Sequence, residues 1–195
     1  MENLLNYRQP LIGGSVPGST FEAFVGGEIK KISLNDYHKK WVVLFFYPAD
    51  FTFVCPTELS DLADLYPDFQ KEGAEVMSVS TDTAFVHKAW HDHSPSISKI
   101  NFPMLADPTG ALCQALGIYI PQEGLSLRGS FIIDPDGIIQ AYEVHANNIG
   151  RNPRELLRKL QAAKFVREHG GEACPVNWKP GDKTLTPSTE LVGKL

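Results

Sequence analysis

Residues 41–59 read WVVLFFYPADFTFVCPTEL, and the first eight of them decide the fold. An apolar and aromatic run from Trp41 that ends at Pro48, with no polar alternation, is the pattern of a strand buried on both faces of a mixed or parallel sheet. Beyond Cys55-Pro56 the apolar residues Leu59, Leu62, Ala63, Tyr66 and Phe69 recur at helical spacing, and Pro56 suits a first helical turn. The stretch therefore reads strand, turn, helix, with Cys55 at the helix N-terminus.

Working outward, EIKKISL after Gly26-Gly27 reads as a short strand that follows a turn, and AEVMSVS (74–80) as a second buried strand. AFVHKAWHDH has a helical pattern, INFPML is short and extended, DPTG marks a turn, and ALCQALG gives one or two helical turns closed by glycine. SFIID and IIQAYEVH flank PDG, which predicts an antiparallel hairpin. NPRELLRKLQAAKFVREHGG is a helix with Pro153 near its start and Leu156, Leu157, Leu160, Ala163 and Phe165 within it. Such an order predicts an α/β fold, a central mixed sheet with helices on both faces. Residues 1–169 form the predicted domain. Residues 170–195, rich in Pro, Gly, Lys and Thr, read as an extended arm that packs on something else.

The 195 residues are 43% hydrophobic and 21% charged, ordinary values for one globular domain, and the formal net charge is −5. No extended basic face is present to neutralise phosphates, which argues against nucleic acid as a partner. No apolar run reaches the roughly 18 residues of a membrane span. MENLLNYRQP lacks the charged and apolar regions of a secretory signal, so the expected location is cytoplasmic. Three cysteines, Cys55, Cys113 and Cys174, are too few for a disulfide-stapled scaffold and are judged singly.

In TFVC, Thr52 stands where a C-x-x-C redox motif has its first cysteine. A thiolate is the nucleophile, and a helix N-terminus supports it through its positive partial charge and free N–H groups. Lowering a cysteine pKa from about 8.5 to below 7 gains at most about thirtyfold in thiolate, or about 2 kcal/mol. Enzymes commonly supply at least about 8 kcal/mol, so further polar groups must meet the developing charge. The Thr52 hydroxyl can lie beside the sulfur, and Pro48 and Pro56 stiffen the loop on either side. Arg128, immediately before the predicted strand in SLRGSFIID, is the candidate cationic donor.

These residues resemble the peroxiredoxin family. YPADFTFVCPTE carries its P-x-x-x-T-x-x-C signature as Pro48, Thr52 and Cys55. The likeness extends through KAWHDHS, ADPTGAL, IIQAYEV, EACPVNWKPG and TLTPSTELVGK, as in the typical two-cysteine group of bacterial alkyl hydroperoxide reductases. It implies a thioredoxin-like fold and a thiol-dependent peroxidase. Cys55 would attack the peroxide to give a sulfenic acid, Thr52 and Arg128 would hold the peroxide oxygens, and Pro48 would shield the sulfenic acid. Cys174 in GEACPVNW matches the resolving cysteine, which in this group comes from the partner subunit. An obligate homodimer, assembling into a ring of five dimers, is the implied form. No bound cofactor is implied, with electrons coming from a flavoprotein disulfide reductase or thioredoxin.

Two other functions are weighed. A ring of this kind could act as a holdase chaperone, and a thioredoxin-type oxidoreductase is disfavoured by Thr52 and the distant Cys174. His87 and His91 have the i, i+4 spacing that holds a metal, but with His93 they read as a solvated helix face. Cys113 reads as a small buried hydrophobe. Phe46, Phe51, Phe53, Trp90 and Trp178 read mostly as packing rather than as a substrate approach.

The overoxidation-prone eukaryotic members carry a Gly-Gly-Leu-Gly insertion and a Tyr-Phe near the C-terminus. SPSISKINFP and the terminal ELVGKL stand in the corresponding places here. Turnover is therefore expected to resist excess peroxide, checked by mass spectrometry of Cys55; sulfinic acid at low peroxide doses would contradict it.

Overall fold

The computed structural model describes residues 11–194, so the reading of MENLLNYRQP lies outside the described residues. In chain order the elements are β1 (Thr20–Val25), β2 (Glu28–Ser33), β3 (Trp41–Phe46), α1 (Cys55–Lys71), β4 (Ala74–Ser80), α2 (Ala84–His93) and β5 (Met104–Ala106). They are followed by α3 (Ala111–Ala115), β6 (Tyr119–Ile120), β7 (Leu125–Ser126), β8 (Arg128–Ile133), β9 (Ile139–His145) and α4 (Pro153–Glu168). Seven strands form one sheet in the order β2-β1-β5-β4-β3-β8-β9, and β6 pairs with β7 separately.

The sheet is mixed, as expected. β3 runs parallel to β4 and antiparallel to β8, and β4 runs parallel to β5. All six residues of β3 are buried, and their two faces feed two cores. Trp41, Val43 and Phe45 join Leu59, Leu62, Leu65 and Phe69 of α1, Trp90 of α2, and Leu156 and Leu160 of α4. Val42, Leu44 and Phe46 join Leu112 and Cys113 of α3 and Leu116 just after it on the other side. This alternation is the period-2 geometry of a strand with both faces covered.

β1 was not anticipated, because Gly26-Gly27 served only to mark the start of β2. Val25 pairs with Glu28 across a two-residue loop in which Gly26 and Gly27 have φ of 60° and 84°. That is the left-handed geometry of a tight hairpin, which glycine adopts without Cβ strain. The hairpin β6–β7 was also missed, since two-residue strands carry no period.

The arm makes contacts of its own. It folds on its own chain: Ala173 and Leu185 bridge in antiparallel fashion, and Trp178 is buried 4.9 Å from the Phe165 ring of α4. Arg158 of α4 donates to the Trp178 carbonyl at 3.1 Å. A large aromatic supplied the anchoring area that a search for periodicity in this segment overlooked. No helix among the described residues is long and apolar enough to cross a membrane.

Candidate active site

β3 ends at Phe46, the chain turns through residues 47–54, and α1 begins with Cys55 and Pro56. No side chain caps this helix end, and the Thr57 and Glu58 N–H groups both bond to the Val54 carbonyl. Cys55 is fully buried as a free thiol, with its Sγ 3.4 Å from Arg128 Nη1. Arg128 opens β8, so two neighbouring strands bring sulfur and guanidinium together.

The guanidinium is held at every nitrogen. Nε and Nη2 donate to the Asn147 carbonyl at 2.9 and 2.8 Å, and Nη1 donates to Glu58 Oε2 at 2.6 Å as well as facing Cys55. Glu58 lies three residues after Cys55, on the same face of α1. Its other oxygen, Oε1, accepts the Arg151 backbone N–H and Nε at 2.8 and 2.9 Å, and Arg151 Nη2 reaches Oε2 at 3.1 Å. Arg151 Nη1 donates to the Gly129 carbonyl and Ser130 Oγ, and its guanidinium lies 3.4 Å over the Phe45 ring.

Glu58 and Arg151 were not singled out from the sequence. Glu58 was in view within CPTE, one turn after the cysteine, but Arg151 has no local signal, since its partner is 93 residues away. Burial alone would raise the Glu58 carboxyl, yet the Arg151 and Arg128 guanidiniums hold it below the usual carboxylate range. Two guanidiniums and one carboxylate leave one positive charge in a buried cluster beside Cys55 Sγ. An anion formed there is charge-balanced, and the low local dielectric strengthens the interaction.

The other expected residues are placed less directly. Pro48 is buried in the loop after β3. Thr52 Oγ1 donates to the Ala49 carbonyl at 2.8 Å rather than to Cys55, which leaves its lone pairs free to accept. Cys174 is half-buried beside α4, its Sγ 3.9 Å from the Ala162 carbonyl, and burial raises its thiol. It is not joined to Cys55 in this chain. Cys113 is fully buried on the inner face of α3, and burial, then the Asp107 carboxylate, push its thiol up. Phe46, Trp90 and Trp178 are packing residues, whereas Phe51 and Phe53 are exposed.

His87 requires a correction. It does not lie on a solvated face but is wholly buried, because the inward stripe of α2 is Ala84, His87 and Trp90. Both its ring nitrogens have partners, Asp50 Oδ2 at 2.8 Å and the Leu105 carbonyl at 3.1 Å. Among the described residues no group of three or more His, Cys, Asp or Glu is arranged to hold a metal ion.

Comparison with known proteins fits this geometry. The model of the AhpC/TSA family matches residues 12–142. The chain belongs to that family. A second model, the C-terminal domain of 1-Cys peroxiredoxin, matches residues 162–195. The chain is 54% identical over 174 residues to alkyl hydroperoxide reductase C of Salmonella typhimurium, covering 89% of this chain and 93% of that protein. It is 49% identical to the Pseudomonas aeruginosa protein of the same name, over 95% of this chain and 99% of that one.

Among solved structures, Enterococcus faecalis AhpC superposes with a TM-score of 0.83 at 46% identity, over 86% of this chain and all of that one. Reduced Plasmodium vivax 2-Cys peroxiredoxin superposes with a TM-score of 0.88 at 32% identity, over 93% of this chain and 96% of that one. The fold is thus that of the thioredoxin-fold peroxiredoxins, and the protein is a thiol-dependent peroxidase of the AhpC/peroxiredoxin family.

Removing the shared carboxylate leaves two buried guanidiniums facing each other, so Glu58→Ala is expected to cost about 3–5 kcal/mol in urea unfolding at pH 7. Because the folded carboxyl sits below its unfolded value, its ionisation stabilises the fold fully above about pH 4.3 and is lost as pH falls through the folded value. The gap between the wild type and Glu58→Gln should therefore narrow below pH 4.3, and a gap that widens there would contradict the assignment.

Proposed function

We propose that Cys55 is the peroxidatic cysteine of a two-cysteine cycle. The observation that carries this is the Arg128 guanidinium 3.4 Å from a buried Cys55 Sγ and fixed there by Glu58 and the Asn147 carbonyl. The Cys55 thiolate attacks the terminal oxygen of R–O–O–H. An S–O bond forms, the O–O bond breaks, and the leaving oxygen takes a proton to become an alcohol, or water when the substrate is hydrogen peroxide. Arg128 stabilises the charge that moves from sulfur to the leaving oxygen, and the Thr52 hydroxyl accepts a hydrogen bond from the peroxide O–H while its own O–H stays donated to the Ala49 carbonyl. Pro48 closes the pocket against water and further oxidant.

The Cys55 sulfenic acid then condenses with Cys174 of a partner chain. The new S–S bond releases water and removes Cys55 from the ladder that ends in irreversible sulfinic and sulfonic acids. Cys55 is too deeply buried for that step without opening of the first turn of α1, which breaks the two bonds to the Val54 carbonyl. The arm, residues 170–195, must leave α4 as well, releasing the Trp178 anchor. A homodimer within a ring of five dimers supplies the partner arm. The disulfide is reduced by a flavoprotein reductase or thioredoxin, with no bound cofactor, and the cycle operates in the cytoplasm.

One equivalent of hydrogen peroxide added to the reduced protein should produce, on non-reducing electrophoresis, a dimer that mass spectrometry maps to Cys55–Cys174. A species that stays monomeric with Cys55 as sulfenic or sulfinic acid would remove Cys174 from the role.

A further inference from the structure

The loop that carries Pro48 and Thr52 is in a costly conformation. Phe51 has φ of 54°, in the left-handed region, where a non-glycine residue costs on the order of 1–3 kcal/mol and persists only when its surroundings over-determine it. Those surroundings are specific. The Tyr47 N–H donates to the Val79 carbonyl at 3.0 Å, and Ser126 Oγ donates to the Tyr47 carbonyl at 3.0 Å. The Asp50 N–H donates to Asp82 Oδ2 at 2.9 Å, an oxygen that also accepts Ser80 Oγ at 2.7 Å.

Side chains complete the frame in one buried chain. Tyr47 Oη donates to Asp50 Oδ1 at 2.6 Å, Asp50 Oδ2 lies 2.8 Å from His87 Nδ1, and His87 Nε2 lies 3.1 Å from the Leu105 carbonyl. The His87 and Asp50 side chains are almost wholly buried, at 0% and 1% exposure, and the cycle proposed above uses neither.

The partners dictate the proton count. A carbonyl can only accept, so His87 Nε2 carries a proton. Nδ1 and Asp50 Oδ2, at 2.8 Å, cannot face each other as two lone pairs, so one further proton lies between them. It belongs either to an imidazolium facing a carboxylate or to a carboxylic acid facing a neutral imidazole. Both arrangements are neutral overall, so the core holds no net charge. Burial raises the Asp50 carboxyl, with His87 opposing, and burial and Asp50 hold the Tyr47 phenol well above its usual range, as a neutral donor.

We propose that His87 and Asp50 are positioning residues of the peroxide step, their shared proton tying the strained loop 47–52 to α2 and β5 so that Pro48 and Thr52 are presented to the substrate. This rests on Cys55 being the attacking thiol. The pair touches neither sulfur nor peroxide and acts only through the loop. It leaves the Arg128–Glu58–Arg151 cluster, and so the electrostatics at Cys55 Sγ, intact.

That separation defines the test. The rate of Cys55 oxidation by hydrogen peroxide and the rate of its alkylation by iodoacetamide are measured side by side on the full chain. Alkylation needs the thiolate but not the hold on the peroxide oxygens. His87→Leu and Asp50→Ala should lower the oxidation rate constant about 10- to 100-fold, the range that small misplacements of a reacting geometry produce, while alkylation keeps the wild-type rate. Asp50→Asn should largely restore oxidation, because its amide donates to Nδ1 of the neutral imidazole while its carbonyl accepts Tyr47 Oη.

Unaltered oxidation in both disruptive variants, oxidation and alkylation falling in parallel, or Asp50→Asn as impaired as Asp50→Ala would each overturn the proposal. Should His87→Leu not fold, Asp50→Ala set against Asp50→Asn carries the same comparison. Trapping of the wild-type sulfenic acid with dimedone separates the two levels. No adduct at Cys55 would sink the peroxidatic assignment and this inference with it, whereas a normal adduct with unaltered variants would sink only the role of the pair.

Discussion

Glu58 is the carboxylate on which the site depends. It projects from the first turn of α1, one turn beyond Cys55, and is shared between Arg128 at the start of β8 and Arg151 just before α4. One anion thereby joins three elements that are remote in sequence and fixes the helix start that carries the reactive sulfur. A buried carboxylate is costly unless its oxygens are satisfied, and each Glu58 oxygen accepts two hydrogen bonds from guanidinium or backbone. The cluster's surplus positive charge then faces Cys55, so the arrangement that anchors the helix start is also the one the proposed peroxide step uses.

The sheet explains why these groups converge. β3 lies between β4 and β8, and the Cys55 loop leaves its end within reach of both neighbours. β8 delivers Arg128 from one side; the connection from β4 to α2 delivers Asp82, and α2 His87, from the other. The loop between Phe46 and Cys55 is therefore held on both flanks, by the charged cluster beside Cys55 Sγ and by the buried hydrogen bonds of Asp50 to Tyr47, Asp82 and His87. Cys55 is wholly buried, out of reach of any second thiol. The proposed cycle consequently needs an α1 start that is well anchored yet able to open.

Much of this was legible in residues 41–59. The unbroken apolar run specified a doubly covered strand, the helical spacing after Pro56 specified α1, and the P-x-x-x-T-x-x-C string placed Pro48, Thr52 and Cys55 around the turn. AEVMSVS and AFVHKAWHDH matched β4 and α2 at both ends, because each carries its own period and its own breaker. What was not legible depended on tertiary pairing. Arg151 gains its meaning from a carboxylate 93 residues away, and β1 from a hairpin closed by two glycines. His87 was misread because its i, i+4 relation to His91 drew attention from its i+3 relation to Trp90, the one that points into the core. The arm had no period to read, yet Trp178 packs on Phe165 and its carbonyl accepts from Arg158 of α4.

The central claim is that the Arg128 guanidinium, held by Glu58, makes Cys55 a peroxide-reducing thiolate. It is tested most directly by the second-order rate constant for Cys55 oxidation by hydrogen peroxide in Arg128→Met beside the wild type, with folding of both verified by thermal unfolding. Loss of one preorganised donor to a developing oxyanion costs about 10²–10³ in rate, and a drop of that size is the predicted result. A folded Arg128→Met protein that reacts at the wild-type rate would contradict the account.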